Sequence, residues 1–87
     1  MVVNIRTVSS AFKHGIHPDD IKCAFNNIVF DHPFEDEPEK NLLIGFDRSL
    51  NLLEIMYNEI EEDTVKVFHA MKCRPAWYEL AEGGEEE

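Results

Sequence analysis

Three runs of alternating side chains occupy residues 41–72 and are separated only by short polar turns. The runs cover 41–47, 50–58 and 64–72, with the turns at 48–49 and 61–63. A period of two is typical of strands, and connections this short join antiparallel neighbours. The pattern therefore predicts a three-stranded antiparallel meander, with residues 29–30 as a candidate fourth strand at its edge.

The first part of the chain favours two helices. Apolar residues recur at helical spacing between Ile5 and Phe12, which predicts a helix over 4–14. Pro18 suits the first position of a helix, and two acidic residues follow it, as the helix dipole favours. These features predict a second helix over 18–28.

The C-terminal part adds one short element. Pro75 ends the last extended run, and residues 75–80 are predicted to form a closing helix. Residues 82–87 are predicted to be a disordered acidic tail, so a single domain would cover 1–81. The predicted fold class is α+β, with two N-terminal helices, an antiparallel three- to four-stranded meander and a short C-terminal helix.

Acidic residues outnumber basic residues by 18 to 8, which argues against broad electrostatic binding of nucleic acid. However, 13 of the acids lie in three runs, at 31–39, 59–63 and 82–87, and these runs contain no Lys or Arg. The rest of the chain has a net positive charge, so a locally basic surface is expected. The acidic runs are either solvated loops or a negative rim that excludes other polyanions or binds a basic partner.

The sequence is expected to belong to a cytoplasmic protein with no membrane segment. No apolar run reaches the roughly 18 residues that a bilayer crossing needs. The first residues lack the basic and apolar regions of a signal peptide. Cys23 and Cys73 are too few for a disulfide scaffold, so we expect free thiols in a reducing compartment.

Both faces of the second and third predicted strands are largely apolar. Two helices can cover only one face of a small sheet, and the other face would then expose an apolar patch. We therefore expect a homodimer or a hetero-complex formed through this apolar sheet face. The alternative is that the C-terminal segment and the acidic loop 31–39 fold over it.

Pairing across the last predicted hairpin places an acid next to a histidine. If the turn is centred on Glu61 and Glu62, then Glu54 lies directly across from His69. A carboxylate beside an imidazole favours the protonated imidazole, and the two can form an acid/base pair. The alternative is a cross-strand pair that only fixes the strand register.

Several basic residues lie close to this pair or near the ends of predicted elements. Lys13 and His14 end the first predicted helix, and Lys72 and Arg74 follow the last strand. Such cations can hold phosphates and stabilise a phosphorane-like transition state, and Tyr78 can stack on a base. We therefore predict RNA binding by Lys13, Lys72, Arg74 and Tyr78; the alternative is that the long side chains only cover the surface.

No metal site and no cofactor are predicted. His14 and His17 are three residues apart, but Gly15 and Pro18 prevent them from sharing one helical turn. They form no recognisable ligand set with either cysteine. The sequence also lacks a glycine-rich phosphate loop and a serine nucleophile elbow.

Three motifs carry a resemblance to a known family. They are KHGI at 13–16, IGFDRS followed by NLLE at 44–54, and VFHAMKCRP at 67–75. Over residues 10–80 the chain is similar to the BrnT-like toxins of bacterial type II toxin–antitoxin modules, in their actinobacterial-type branch. This resemblance implies a RelE/ParE-like fold, cleavage of messenger RNA and a cognate antitoxin protein.

Together, the residues and the resemblance predict a toxin-like, metal-independent endoribonuclease. Glu54 or His69 would take the proton of the 2′-hydroxyl, and His14 or His69 would protonate the leaving oxygen. Arg74 and Lys72 would stabilise the phosphate.

Two positions depart from the family pattern. The family has Ser-Ala-Arg where this chain has His69, Ala70 and Met71, and it has Gly at the position of Leu50. The missing Arg and the excess of acids favour an alternative function. In this alternative, the chain is a non-enzymatic protein-binding module of the same fold that has lost catalysis.

Overall fold

The computed structural model describes residues 4–82. The strands in this part of the chain are β1 Asn4–Thr7, β2 Ile28–Pro33, β3 Asn41–Phe46, β4 Leu52–Glu61 and β5 Thr64–Lys72. The helices are α1 Pro18–Phe25 and α2 Tyr78–Ala81, and two 3₁₀ turns cover Ser9–Phe12 and Pro75–Trp77. Except for Glu82, which lies in a turn after α2, the predicted disordered tail lies outside the described residues. Neither described helix has the length and apolarity that a bilayer crossing requires.

The strands form one mixed sheet in the order β1-β5-β4-β3-β2. Neighbouring strands from β2 to β5 are antiparallel, whereas β1 is parallel to β5 and forms one edge. The predicted α+β fold with two N-terminal helices and an antiparallel meander is therefore wrong. The three predicted strands correspond to β3, β4 and β5, and β2 is a complete strand rather than a short edge segment.

The predicted helix over 4–14 is a strand followed by a 3₁₀ turn. Ile5 and Thr7 are β-branched, which favours a strand, and Ile5 packs against the hydrophobic core from β1. The Ser10 hydroxyl donates a hydrogen bond of 2.8 Å to the carbonyl oxygen of Phe68 and fixes the turn against β5. The apolar spacing favoured a helix because spacing reports only local structure, and these contacts with residues far along the chain leave no trace in it.

The predicted helix over 18–28 ends earlier, at Phe25. The Asn27 side-chain amide donates a 2.9 Å hydrogen bond to the carbonyl oxygen of Cys23 and so satisfies a carbonyl of the last turn. Beyond this cap the chain extends, and β2 begins at Ile28.

Helix α1 packs on one face of the sheet and forms the main core with it. The buried residues of this core are Ala11, Ile21, Ala24, Phe25, Leu43, Leu53, Ile55, Tyr57, Val65, Val67 and Ala70. Gly45 lets the helix approach the sheet, because a Cβ atom there would lie 2.3 Å from the carbonyl oxygen of Ala24. Each large apolar side chain buried here contributes about 1.5–3 kcal/mol.

The face of the sheet that points away from α1, called the second face below, is largely covered within the chain. Leu42 and Ile44 of this face are buried. The Lys40 ammonium lies 5.8 Å from the ring centroid of Phe68, and Arg74 bonds to Glu54. Because the segments that carry Lys40 and Arg74 reach over the second face, the described residues do not leave it as an open apolar surface.

The turn between β3 and β4, residues 47–51, contains a strained position. Asp47 Oδ1 accepts hydrogen bonds of 2.8 Å from the backbone N–H groups of Ser49 and Asn51. Leu50 has φ 66°, in the left-handed region that favours glycine, and its side chain is exposed. Leucine at this position therefore costs backbone strain that Gly would avoid.

The same turn is joined to the start of α1 by an ion pair, called the Arg48–Asp20 clasp below. Arg48 donates from Nε to Asp20 Oδ1 at 2.8 Å and from Nη2 to Oδ2 at 3.2 Å. The Arg48 side chain and its backbone N–H hold the pKa of Asp20 down at about 2. The clasp therefore ties the helix to the hairpin from the exposed side.

Candidate functional site

Glu54 is a carboxylate with no exposed surface, in β4 on the second face of the sheet. Its Oε1 accepts hydrogen bonds of 3.0 Å from both the backbone N–H and Nε of Arg74. Its Oε2 accepts from Arg74 Nη2 at 2.7 Å and lies 3.0 Å from His69 Nε2. Both oxygens are therefore occupied by cationic or polar partners, as a buried charge requires.

These partners keep Glu54 ionised. Burial alone would raise the pKa of this carboxyl, but the hydrogen bonds from the Arg74 side chain and backbone and from His69 outweigh it. The pKa of Glu54 therefore lies below its ordinary value. In return, the carboxylate raises the pKa of Arg74.

The predicted register of the last hairpin is wrong by one residue near the turn, where Asn58 pairs with Lys66 instead of Val65, and by two residues around Glu54. The second residue of this offset comes from a bulge at Phe68, opposite Met56 and Tyr57, beyond which Glu54 pairs with Met71 and Met56 with His69. A shift of two residues keeps each side chain on its face, and diagonal neighbours remain within reach of long side chains. The predicted contact between Glu54 and His69 is therefore confirmed.

The contact with Glu54 determines which nitrogen of His69 is available. Since the carboxylate is ionised, Nε2 of His69 carries a hydrogen and donates it to Oε2. In the neutral imidazole, Nδ1 then holds the free lone pair and can accept a proton. The side chain of His69 is 22 % exposed, so a ligand can approach it from one side.

His14 joins this pair from the segment that follows the first 3₁₀ turn. The ring centroids of His14 and His69 lie 5.6 Å apart, with the rings at 74° to each other. Gly15, which has φ 78°, reverses the chain directly after His14. The structure thus brings two imidazoles together from distant parts of the sequence.

Arg74 completes the cluster and is half exposed. Its pairing with Glu54 uses Nε and Nη2 and does not use Nη1. The guanidinium carbon lies 5.8 Å from the ring of Trp77, whose Nε1 is buried without a hydrogen-bond partner in residues 4–82.

The four residues predicted to be catalytic, His14, Glu54, His69 and Arg74, therefore lie in one cluster. Below they are called the His–Glu–Arg cluster. An ionised carboxylate holds an imidazole and a guanidinium, and a second imidazole lies beside them. Such an arrangement can move a proton and bind an anion at adjacent positions.

The residues predicted to bind RNA are divided between two places. Lys72 and Tyr78 line a cavity of about 470 Å³ that is bounded also by Phe46, Leu50 and Leu52 and includes no member of the His–Glu–Arg cluster. Lys13 is exposed next to His14. Arg74 alone belongs to both the catalytic and the RNA-binding prediction.

Cys73, which lines the cavity beside Lys72, is a buried free thiol. Burial and the charge of Glu54 raise its pKa, although Arg74 opposes them. The thiol is therefore protonated at neutral pH and is a weak nucleophile.

Within residues 4–82, no three His, Cys, Asp or Glu side chains are grouped so that they could hold a metal ion. Comparison with models of protein families, with curated proteins and with solved structures gave no significant match. The interpretation of the site therefore rests on its own geometry and on the motifs in the sequence.

Proposed function

We propose that this chain is the toxin-like component of a type II toxin–antitoxin module and acts as a metal-independent endoribonuclease on messenger RNA. The observation that carries the proposal is the 3.0 Å contact between His69 Nε2 and the buried, ionised Glu54, with Arg74 on the same carboxylate. This contact orients an imidazole beside a guanidinium on a partly open surface. The motifs shared with BrnT-like toxins support the same function.

In the proposed reaction, His69 is the general base. Its Nδ1 takes the proton of a ribose 2′-hydroxyl, and the 2′-oxygen attacks the adjacent phosphorus. Glu54 does not contact the substrate, since it has no exposed surface and both its oxygens are occupied. It is a positioning residue that fixes the tautomer of His69 and stabilises the imidazolium that forms.

His14 and Arg74 supply the remaining groups. The exposed His14, in its protonated form, gives its proton to the 5′-oxygen as the bond between phosphorus and that oxygen breaks. Arg74 stabilises the charge on the phosphate through its Nη1. The products are a 2′,3′-cyclic phosphate and a free 5′-hydroxyl, so no water or metal ion takes part in the bond exchange.

The test is an RNA cleavage assay with the purified chain and matched histidine variants. His69→Ala should lower the cleavage rate by about 10²–10⁴-fold, the usual contribution of general acid–base catalysis. His32→Ala is the control, since His32 is exposed on β2 and stacks on Phe30. The wild-type rate should be the same with and without EDTA; loss of cleavage in EDTA, or an active His69→Ala variant, would contradict the proposal.

The toxin assignment has its own test. A toxin in the cytoplasm requires an antitoxin protein that binds it and prevents cleavage, so expression of the chain alone should arrest growth. Co-expression of the neighbouring reading frame should restore growth, and His69→Ala should be harmless without it. Growth that is unaffected by an active, soluble chain would contradict the toxin assignment.

A second candidate function is a non-enzymatic protein-binding module. The observation that favours it is the cavity of about 470 Å³, which carries the exposed apolar side chains of Val29, Leu50 and Tyr78 at its rim. Exposed apolar groups around a cavity are typical of interaction surfaces. A chain that binds its partner tightly but leaves RNA intact at pH 5–8 would decide for this function, and Leu50→Glu should then weaken partner binding.

A further inference from the structure

Arg6 and Lys66 lie side by side on the second face of the sheet. The parallel pairing of β1 with β5 places their Cα atoms in register. Ile5 and Val65 of the same strands belong to the core under α1, so Arg6 and Lys66 point to the opposite face. The sequence did not predict this pair, because a helix over residues 4–14 would not place Arg6 beside Lys66.

Like charges that face each other across neighbouring strands are destabilising. Within residues 4–82, neither Arg6 nor Lys66 is in an ion pair with a carboxylate. No carboxylate of residues 4–82 therefore pairs directly with either cation, and the acid that shares a cavity with Lys66 without a lysine partner of its own is Glu39. An anion between the two cations would remove this repulsion.

The surroundings of Lys66 fit a nucleotide. Lys66 lines a cavity of about 320 Å³ together with Asn58, Phe68 and Lys40. Glu37 and Glu39 also line the cavity. Lys40 is paired with Glu37, so Glu39 is the acid that Lys66, together with Arg6 beside it, must outweigh. The volume suits a single unpaired nucleotide and is too small for a duplex, and RNA that is single-stranded exposes its bases to such surfaces.

The position of the pair relative to the His–Glu–Arg cluster fits the same strand of RNA. Lys66 and His69 are three residues apart on β5, about 10 Å along a strand, and the bulge at Phe68 between them brings both side chains to the second face. Phe68 lies between them and is half-buried. One backbone could therefore reach both places.

We propose that Arg6 and Lys66 bind a backbone phosphate of single-stranded RNA next to the nucleotide whose 2′-hydroxyl reacts at His69. The guanidinium and the ammonium hold the same phosphate, and the intervening nucleotide lies over Phe68. This inference rests on the proposed ribonuclease function, and it adds a substrate-binding site that aligns the RNA along β5.

The experiment measures binding separately from cleavage. A fluorescent single-stranded RNA that is 2′-O-methylated at every position cannot react, and its anisotropy reports binding to the full chain. Arg6→Gln with Lys66→Gln should weaken binding about tenfold and make the dependence of log K on log salt shallower by about 0.7, the value for one phosphate contact on a single strand. Lys22→Gln, on the exposed side of α1, removes a charge elsewhere and should leave affinity and slope unchanged.

Two further readouts separate loss of a phosphate contact from loss of stability or of catalysis. The melting temperature of the double variant should stay the same or rise, because a repulsion is removed, and its cleavage of ordinary RNA should show a higher KM with an unchanged kcat. Binding of the inert RNA that is equal in wild type and double variant, or absent in both, would overturn the inference. So would tight binding of polyglutamate through the same two residues without binding of RNA. Failure of the proposed ribonuclease function is seen independently, as the absence of cleavage of ordinary RNA by the wild-type chain.

Discussion

Two arginine–carboxylate pairs in this chain have similar geometry and different surroundings. Arg74 Nη2 lies 2.7 Å from Glu54 Oε2, and Arg48 Nε lies 2.8 Å from Asp20 Oδ1. In both pairs the arginine is about half exposed. The carboxylates differ, since Glu54 has no exposed surface and 21 % of the Asp20 side chain is exposed.

The comparison shows that burial, rather than pairing geometry, distinguishes the candidate site. Asp20 can exchange its arginine for water at little cost, as exposed ion pairs commonly do. Glu54 has no access to water and depends on Arg74 and His69 for its charge. The buried pair therefore fixes two functional groups in place, whereas the Arg48–Asp20 clasp only links α1 to a turn.

The largest expected effect follows from removal of the arginine at the buried pair. Arg74→Met leaves Glu54 buried with only His69 as a polar side-chain partner, and it should lower the free energy of unfolding by about 3–5 kcal/mol. Urea denaturation measures this change. Lys72→Met, which removes the same charge from an exposed position two residues earlier, should change stability by less than about 0.5 kcal/mol. Equal effects of the two variants would show that the burial of Glu54 does not affect the free energy of unfolding.

The pH dependence of stability gives the next effect in size. Because the pKa of Glu54 is lower in the folded chain, the unfolded chain binds more protons in acid. The contribution of Glu54 is complete above the ordinary carboxyl pKa of about 4.3 and is lost as the pH falls through its lower folded value. Glu54→Gln should cost about 1–3 kcal/mol at pH 7. The same variant should also lose less stability than the wild type as the pH falls below about 4.3. If the free energy of unfolding falls with pH between pH 7 and pH 2 in the same way in this variant and the wild type, the lowered pKa of Glu54 is contradicted.

The strained turn beside the clasp predicts a gain. Leu50→Gly should stabilise the chain by about 1 kcal/mol, because glycine adopts φ 66° without the steric cost of a Cβ atom. Leu50→Ala is the matched control, since it removes the same apolar atoms but keeps the Cβ atom. Thermal denaturation should show a higher melting temperature for the glycine variant only. An equal rise for Leu50→Ala would show that the exposed side chain, and not the backbone strain, is the cause.

The smallest effect is expected at the clasp itself. The pKa of Asp20 is about 2, so its contribution to stability is present above pH 4 and is lost between about pH 4 and pH 2. Asp20→Asn should therefore lower the melting temperature slightly at pH 7, several-fold less than Arg74→Met. A loss as large as that of Arg74→Met would remove the distinction between the two pairs.

The sequence predicted local patterns better than long-range pairing. Alternation located β3, β4 and β5, since side chains on a sheet must alternate whichever strand lies beside them. It could not reveal that β1 pairs in parallel with β5, because that contact joins residues about 60 positions apart. The predicted helix over 4–14 was wrong for this reason. Its few apolar residues fit the period of a helix as well as that of a strand, and the pairing of β1 with β5 favours the strand.

In the candidate site, too, local patterns were predicted better than contacts between distant residues. The contact between Glu54 and His69 was predicted from a regular ladder, but in the structure it depends on a bulge at Phe68. Val67 and Ala70, three residues apart, both face α1, so alternation along β5 is interrupted and His69 lies on the same face as Glu54 only beyond the bulge. The hydrogen bonds from Arg74 to Glu54 were not predictable, since they depend on how the chain turns after β5. Burial of Glu54 also has no local signal, because it results from segments that fold over the second face.

The central claim, that the His–Glu–Arg cluster cleaves RNA by attack of the 2′-hydroxyl, can be tested on the ends of the product. A single-stranded RNA and the same RNA with one 2′-deoxy nucleotide at the cleaved position would be incubated with the chain in EDTA and analysed by mass spectrometry. The account predicts a 2′,3′-cyclic phosphate and a 5′-hydroxyl from the first RNA, no cut at the substituted position of the second, and neither product with His69→Ala. Cleavage at the deoxy position, or products that persist in the His69→Ala variant, would contradict it.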